Sequence, residues 1–145
     1  MAADPPVVID TNILFSALLA ADGRIHQTLF RSGDRFRICE TALVELFEHK
    51  ERILSITRLT AEEVTGMYHR VLGRVEIFPE ALIPVEAWSR AVVLCSGIDS
   101  DDVPHVALTL TLNGLLWTGD RKLRRGLASK GFDSFFQPLD DERPR

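Results

Sequence analysis

The chain has 145 residues, 46% of them hydrophobic and 26% charged, with a formal net charge of −4. That length and balance suit one folded domain with a real core and exclude a disordered chain. A net negative molecule repels phosphate, so any nucleic-acid contact must use a local basic patch.

No apolar run approaches the roughly 20 residues of a membrane span. The start "MAADPP" has neither the basic nor the apolar region of a signal peptide. Cys39 in "FRIC" and Cys95 in "AVVLC" lie far apart in apolar stretches and read as reduced core thiols. The expectation is a cytoplasmic protein.

"PVVID" at 6–10 is a short β-branched run after two prolines and predicts a buried strand. "TNILFSALLA" predicts a helix with Ile13, Ala17 and Leu18 on one face and Thr11 or Asn12 as its cap. "RIHQTLFRSG" predicts a second helix, closed by Gly33. "RFRIC" alternates as a strand does. "ETALVELFEHKERIL" predicts one helix with Leu43, Leu46 and Phe47 inward. In "TAEEVTGMYHRVLGR", Thr60 and Glu63 have capping-box spacing.

"VEIF" is a third strand and "PVEAWSRAVVLCSG" a helix. "DSDDVPHVALTL" predicts a helix from about 102 to 113, with Asp101 as cap and Pro104 in the first turn, where its missing N–H is harmless. "GLLWT" is a fourth strand, "GDRKLRRGLASKG" a turn and a short basic helix, and "FDSFFQP" a candidate fifth strand. One domain over 1–138 would precede a polar tail at 139–145. The alternation predicts a three-layer α/β fold: a mostly parallel, twisted sheet with helices on both faces.

In open parallel sheets, ligands bind beyond the carboxyl ends of the strands. Asp10 ends the first strand, and Asp120 lies just past the fourth. Asp102 begins the helix leading into the fourth, and Glu45 lies one to two turns into the helix after the second. Four carboxylates from distant parts of the chain could converge on one edge. Two charges 4 Å apart repel by about 4 kcal/mol at an effective dielectric near 20. Such a cluster persists only when protons or cations neutralise it.

Oxygen donors suit Mg²⁺ or Mn²⁺. His26, His49, His69 and His105 stand apart and offer no zinc spacing. Divalent ions held by carboxylates suit phosphodiester hydrolysis. Each acid alone has a plainer role: Asp10 as a helix cap, Glu45 as a solvated helix residue, Asp120 as a turn residue. Their combination points to a site.

The strand-end "VVIDTNILFSALL", the helical Glu45, "DSDDVPHVALTL" and "LLWTGDRKL" resemble the PIN-domain nucleases in order and spacing, over residues 7–127. The resemblance implies that fold and Mg²⁺- or Mn²⁺-dependent cleavage of RNA. It implies Asp10, Glu45, Asp102 and Asp120 as the catalytic, metal-binding acids. Thr118 would support the site and Asn12 would orient Asp10. Asp99 reads as a loop acid, the alternative being a contribution from outside the metal's own ligands. Many small bacterial members resemble toxins of toxin–antitoxin pairs, so an antitoxin protein and a homodimer are the implied partners.

Two positions depart from the pattern. His105 stands where a bulky apolar residue, often Phe, is common, and Trp117 where a small β-branched residue is usual. Trp117 reads as core. His105 reads as a polar side chain without a part in the chemistry, the alternative being an approach to the metals.

Arg121, Lys122, Arg124, Arg125 and Lys130 follow Asp120 with no acid among them. That layout suits a phosphate backbone gripped beside the cleavage point. The plain alternative is a solvated basic helix. Ile56, Val64, Met67 and Val71 are candidates for core or interface. The competing functions are a non-catalytic PIN-like module binding RNA or protein, and a phosphatase with Asp10 as nucleophile. The latter generally wants a second acid two residues on, where this chain has Asn12.

Overall fold

Strand β1 (Val7–Ile9) is apolar and fully buried because it has a strand on each side. β2 (Phe36–Cys39) lies on one flank and β4 (Leu115–Trp117) on the other; β3 (Val75–Phe78) extends the sheet beyond β2. The structure is a computed structural model and describes residues 4–20 and 23–138. Every pairing in the sheet is parallel. The register sets Ile9 beside Trp117 and Cys39 beside Phe78, so the carboxyl ends form one edge. The chain moves outward from β1 through β2 to β3, then crosses back to lay β4 on the far side of β1. That reversal opens a crevice at the ends of β1 and β4.

Helices lie on both faces, as the alternation predicts. α7 (Val103–Leu112) packs along β1, β2 and β4, and α6 (Val85–Cys95) covers α7. His105 to Thr109 are buried without a break. A helix enclosed this way needs an apolar circumference, which "VPHVALTLTL" supplies except at His105 and at Thr109 and Thr111, whose hydroxyls donate to the carbonyls of His105 and Ala107. α1 (Thr11–Leu19) packs on α2 (Arg24–Arg31), α3 (Glu40–Glu48) and α5 (Ala61–Leu72). α8 (Arg121–Ser129) leans on α6. Thr60 and Glu63 form the expected capping box at the start of α5. Both cysteines are free and buried.

Gly114 joins α7 to β4 where a Cβ would meet the Pro6 carbonyl oxygen at 2.5 Å, so glycine alone fits there.

Several expectations are corrected. The single helix over 40–54 is two: α3 ends at His49 (φ −98°, ψ 8°), and α4 (Lys50–Ile56) restarts and packs against α5, burying Ile53. Phe47 is 56% exposed instead of inward, because α3 presents Ala42 and Leu46 to the core. Val64, Met67 and Val71 are core, whereas Ile56 is exposed. α2 stops at Ser32 in extended backbone rather than at a left-handed Gly33. The cap of α1 is Asp10, one residue before Thr11. The candidate fifth strand reduces to a single parallel bridge, Leu116 to Phe135. The tail at 139–145 lies outside the described residues.

Candidate active site

Asp10 follows β1 directly, so the strand delivers it to the carboxyl edge. Its carboxylate accepts the Ile13 N–H at 2.9 Å, capping α1. It also hydrogen-bonds the Thr118 side chain, and Thr118 Oγ1 accepts the Asp120 N–H at 3.1 Å. The end of β1 is thereby tied to the turn after β4. Asp10 is 4% exposed. Burial raises its pKa, the Thr118 and Ile13 bonds counter that, and the Asp120 and Glu45 charges raise it further. The helix-cap role and the cleft position belong to the same side chain.

Asp120 caps α8 by accepting the Leu123 N–H at 3.1 Å. Asp102 ends a 3-10 turn (Ser100–Asp102) just before α7. Burial, then repulsion from Asp10, Asp99, Asp120 and Asp101, pushes its pKa up to about 7. Glu45 comes in from α3, half-buried, and its Oε1 accepts the Thr11 hydroxyl at 2.7 Å. These four acids line one cleft of about 390 Å³, with Asn12, Asp99 and Asp101 along its edge.

The three clustered aspartates divide their work differently from the expectation. Asp99, not Asp101, is the cap: its Oδ1 accepts the Asp101 N–H at 2.9 Å. Asp99 thereby caps the 3-10 turn ahead of α7, whereas α7 itself starts after Asp102 without a side-chain cap bond. Asn12 is exposed at the cleft wall, and the groups that hold Asp10 are Ile13 and Thr118.

Other cleft residues were not visible in the sequence. Thr11, Phe15, Leu19, His49, Arg52, Ile53 and Ile56 line its walls, together with His105. Only the helical spacing of Phe15 from Thr11 hints at a shared face. Glu80 is a further case: its Oε2 accepts the Thr41 N–H at 2.5 Å while Glu40 Oε1 accepts the Glu80 N–H at 2.7 Å. That reciprocal pair joins the end of β3 to the start of α3 across forty positions, beyond any local signal.

The basic stretch splits. Arg121 and Arg124 line a second groove with Arg24, beside Thr118 and Gly119. Arg124 lies over the Phe135 ring, 4.8 Å from its centroid. Lys122 and Arg125 are exposed. Lys130 is structural: its Nζ donates to the carbonyls of Val93, Leu94 and Ser96 at the end of α6. Trp117 is core, packed on Phe36 and Phe136.

Among the described residues, no three His, Cys, Asp or Glu side chains already stand close enough to cage a metal. The donor chemistry still fits a hard divalent cation: four carboxylates share one cleft, and the neighbouring acid charges raise the pKa values of Asp10 and Asp102. It does not fit zinc: Cys39 is buried outside the cleft lining, and His105, which lines the cleft at 3% exposure, turns its Nδ1 to Cys39.

A parallel α/β sheet with an acid-lined crevice at its switch point defines the class. A family model for the PIN domain matches residues 8–140. The chain belongs to that family of nucleases. Among solved structures, VapBC2 from Rickettsia felis bound to a DNA fragment from their promoter is similar, at 17% identity and a TM-score of 0.65, over 82% of this chain and 91% of that one. PAE2754 from Pyrobaculum aerophilum is similar at 16% identity and a TM-score of 0.60, over 84% of this chain and 79% of that one. At such identities the likeness is one of fold. No curated protein matches by sequence. No helix among the described residues is long and apolar enough to cross a membrane.

Proposed function

We propose that this protein is a divalent-metal-dependent endoribonuclease that hydrolyses RNA phosphodiester bonds. One observation carries the reading: Asp10, Glu45, Asp102 and Asp120 arrive from four separate elements and line one cleft. Asp10, Asp102, Asp120 and Glu45 would hold Mg²⁺ or Mn²⁺, which when bound lowers the pKa of water and offsets charge on the phosphate. Asp10 is kept in place by Ile13 and Thr118, and Glu45 by Thr11. Burial and the neighbouring acids push the Asp102 pKa up to about 7, so a cation held there would be bound with release of that proton.

The substrate grip follows from charge. The acid cleft repels a phosphate backbone, while Arg121 and Arg124 border the next groove. RNA would cross the turn at Gly119, with its scissile phosphate over the acids and its neighbouring phosphates on the arginines. Arg52 adds a cation to the lining of the acid cleft itself.

The toxin reading, with an antitoxin that covers the cleft, rests on the family and on the fold shared with VapBC2. It is supported by exposed apolar residues on the cleft wall, Leu19 and Ile56, which suit a protein partner or a second copy of the chain.

The test is cleavage of single-stranded RNA, and of DNA of the same sequence, with Mg²⁺, Mn²⁺ or EDTA. The expected result is metal-dependent endonucleolytic cleavage of RNA that EDTA stops. RNA binding without cleavage in either metal would replace this reading with the non-catalytic module.

A further inference from the structure

His105 is buried in α7 where an apolar residue would suffice for packing. A buried imidazole is expensive unless both ring nitrogens find partners. Here both do. Nδ1 lies 3.4 Å from Cys39 Sγ, and Nε2 lies 3.5 Å from Thr11 Oγ1.

The direction of these contacts follows from counting hydrogens. The Thr11 hydroxyl has one hydrogen and gives it to Glu45 Oε1 at 2.7 Å. It can therefore only accept from His105, so Nε2 carries the ring hydrogen. Nδ1 is then the acceptor and Cys39 the donor. Burial pushes the Cys39 thiol up to about 12 and the His105 imidazole down to about 4, in keeping with a neutral thiol and a neutral ring. Four side chains thus form a one-way row, Cys39 to His105 to Thr11 to Glu45. It starts beneath α7 and ends at a carboxylate in the cleft.

We propose that His105 is a positioning residue: by occupying the acceptor side of the Thr11 hydroxyl, it commits that hydroxyl to Glu45 and holds the carboxylate in place for a divalent cation. The inference rests on the metal-nuclease reading. Without the His105 donor, the Thr11 hydroxyl is free to rotate toward other acceptors. Glu45, on an only half-buried helix face, then loses its fixed rotamer.

The test is Mn²⁺ binding to the full chain without RNA, measured by electron paramagnetic resonance, with thermal melting alongside. His105→Phe fills the space without a donor and should weaken Mn²⁺ binding about tenfold. His105→Gln keeps an N–H where Nε2 stands and should stay within about threefold of wild type. Thr11→Val should weaken binding at least as much as His105→Phe, and the double variant no further than Thr11→Val alone.

Wild-type Mn²⁺ affinity in His105→Phe would overturn the proposal. So would equal losses in the Phe and Gln variants, or additive losses in the double variant. If His105→Phe does not fold, His105→Leu takes its place in the same comparison. Absence of Mn²⁺ binding by the wild type would remove the metal reading itself, and this inference with it.

Discussion

The acid cleft and the arginine-lined groove adjoin at the Thr118–Asp120 turn, yet they are built in opposite ways. The acids are fastened. Asp10 is buried under Ile13 and Thr118, Glu45 is bound by Thr11, and Asp120 caps a helix. Of the arginines, Arg24 and Arg121 are exposed, and Arg124 is half-buried against a ring. Burial makes the charges of Asp10 and Asp102 costly, so the pKa values of these two rise and they call for a counter-charge. Exposure leaves the arginines solvated and screened, able to hold many backbones loosely. One region is built for chemistry at a fixed point, the other for grip along a strand.

The widest separation between the two regions should come from Asp102→Asn. It is expected to reduce metal-dependent cleavage on the order of 10³-fold, with RNA binding retained in a filter assay. Loss of binding in step with cleavage would mean that the cleft, not the groove, holds RNA.

The converse variant, Arg121→Ala with Arg124→Ala, should raise KM about tenfold, leave kcat unchanged, and reduce the salt slope of RNA binding by about 2. A fall in kcat with KM unchanged would move those residues into the chemical site.

A third prediction concerns stability without metal. Asp102 holds its proton to about 7 in the fold, against 3.8 for an ordinary Asp. The folded state therefore binds the extra proton between those values. Its contribution is greatest at the acid end and is lost as pH rises through about 7. In EDTA at pH 8, Asp102→Asn should melt about 3 °C above wild type, and the advantage should vanish near pH 4. Calorimetry at the two pH values decides it, and a variant less stable at pH 8 would contradict the repulsion.

The smallest effects belong to the neighbours. Asp99→Ala should cost about 1 kcal/mol through loss of its cap, and Asp101→Asn less, in denaturant titrations. The cap role expected at Asp101 falls to Asp99, because a 3-10 turn (Ser100–Asp102) precedes α7.

The sheet was legible because parallel strands buried on both faces must be short apolar runs, and "VVI", "FRIC" and "LLW" have little other use. The acids were legible because carboxylates directly after such runs land on one edge. The break at His49 was not, since local propensity runs on through "EHKERI" and only packing on α5 turns the chain. Lys130 was misread for a related reason: a lysine in a basic run looks solvated until a helix end, here that of α6, supplies three carbonyls.

His105 marks the boundary most sharply. Its departure from the family pattern is visible in the sequence, but its partners Thr11 and Cys39 lie 94 and 66 positions away. Local hydrophobic pattern and nearby spacing were enough to place the four strands, to indicate the family and to put Asp10 and Asp120 at strand ends. Only the tertiary structure decided which polar groups meet and in which direction each hydrogen points. Hydrogen bonds and charge repulsion act over a few ångströms, and the fold alone brings residues dozens of positions apart within that range.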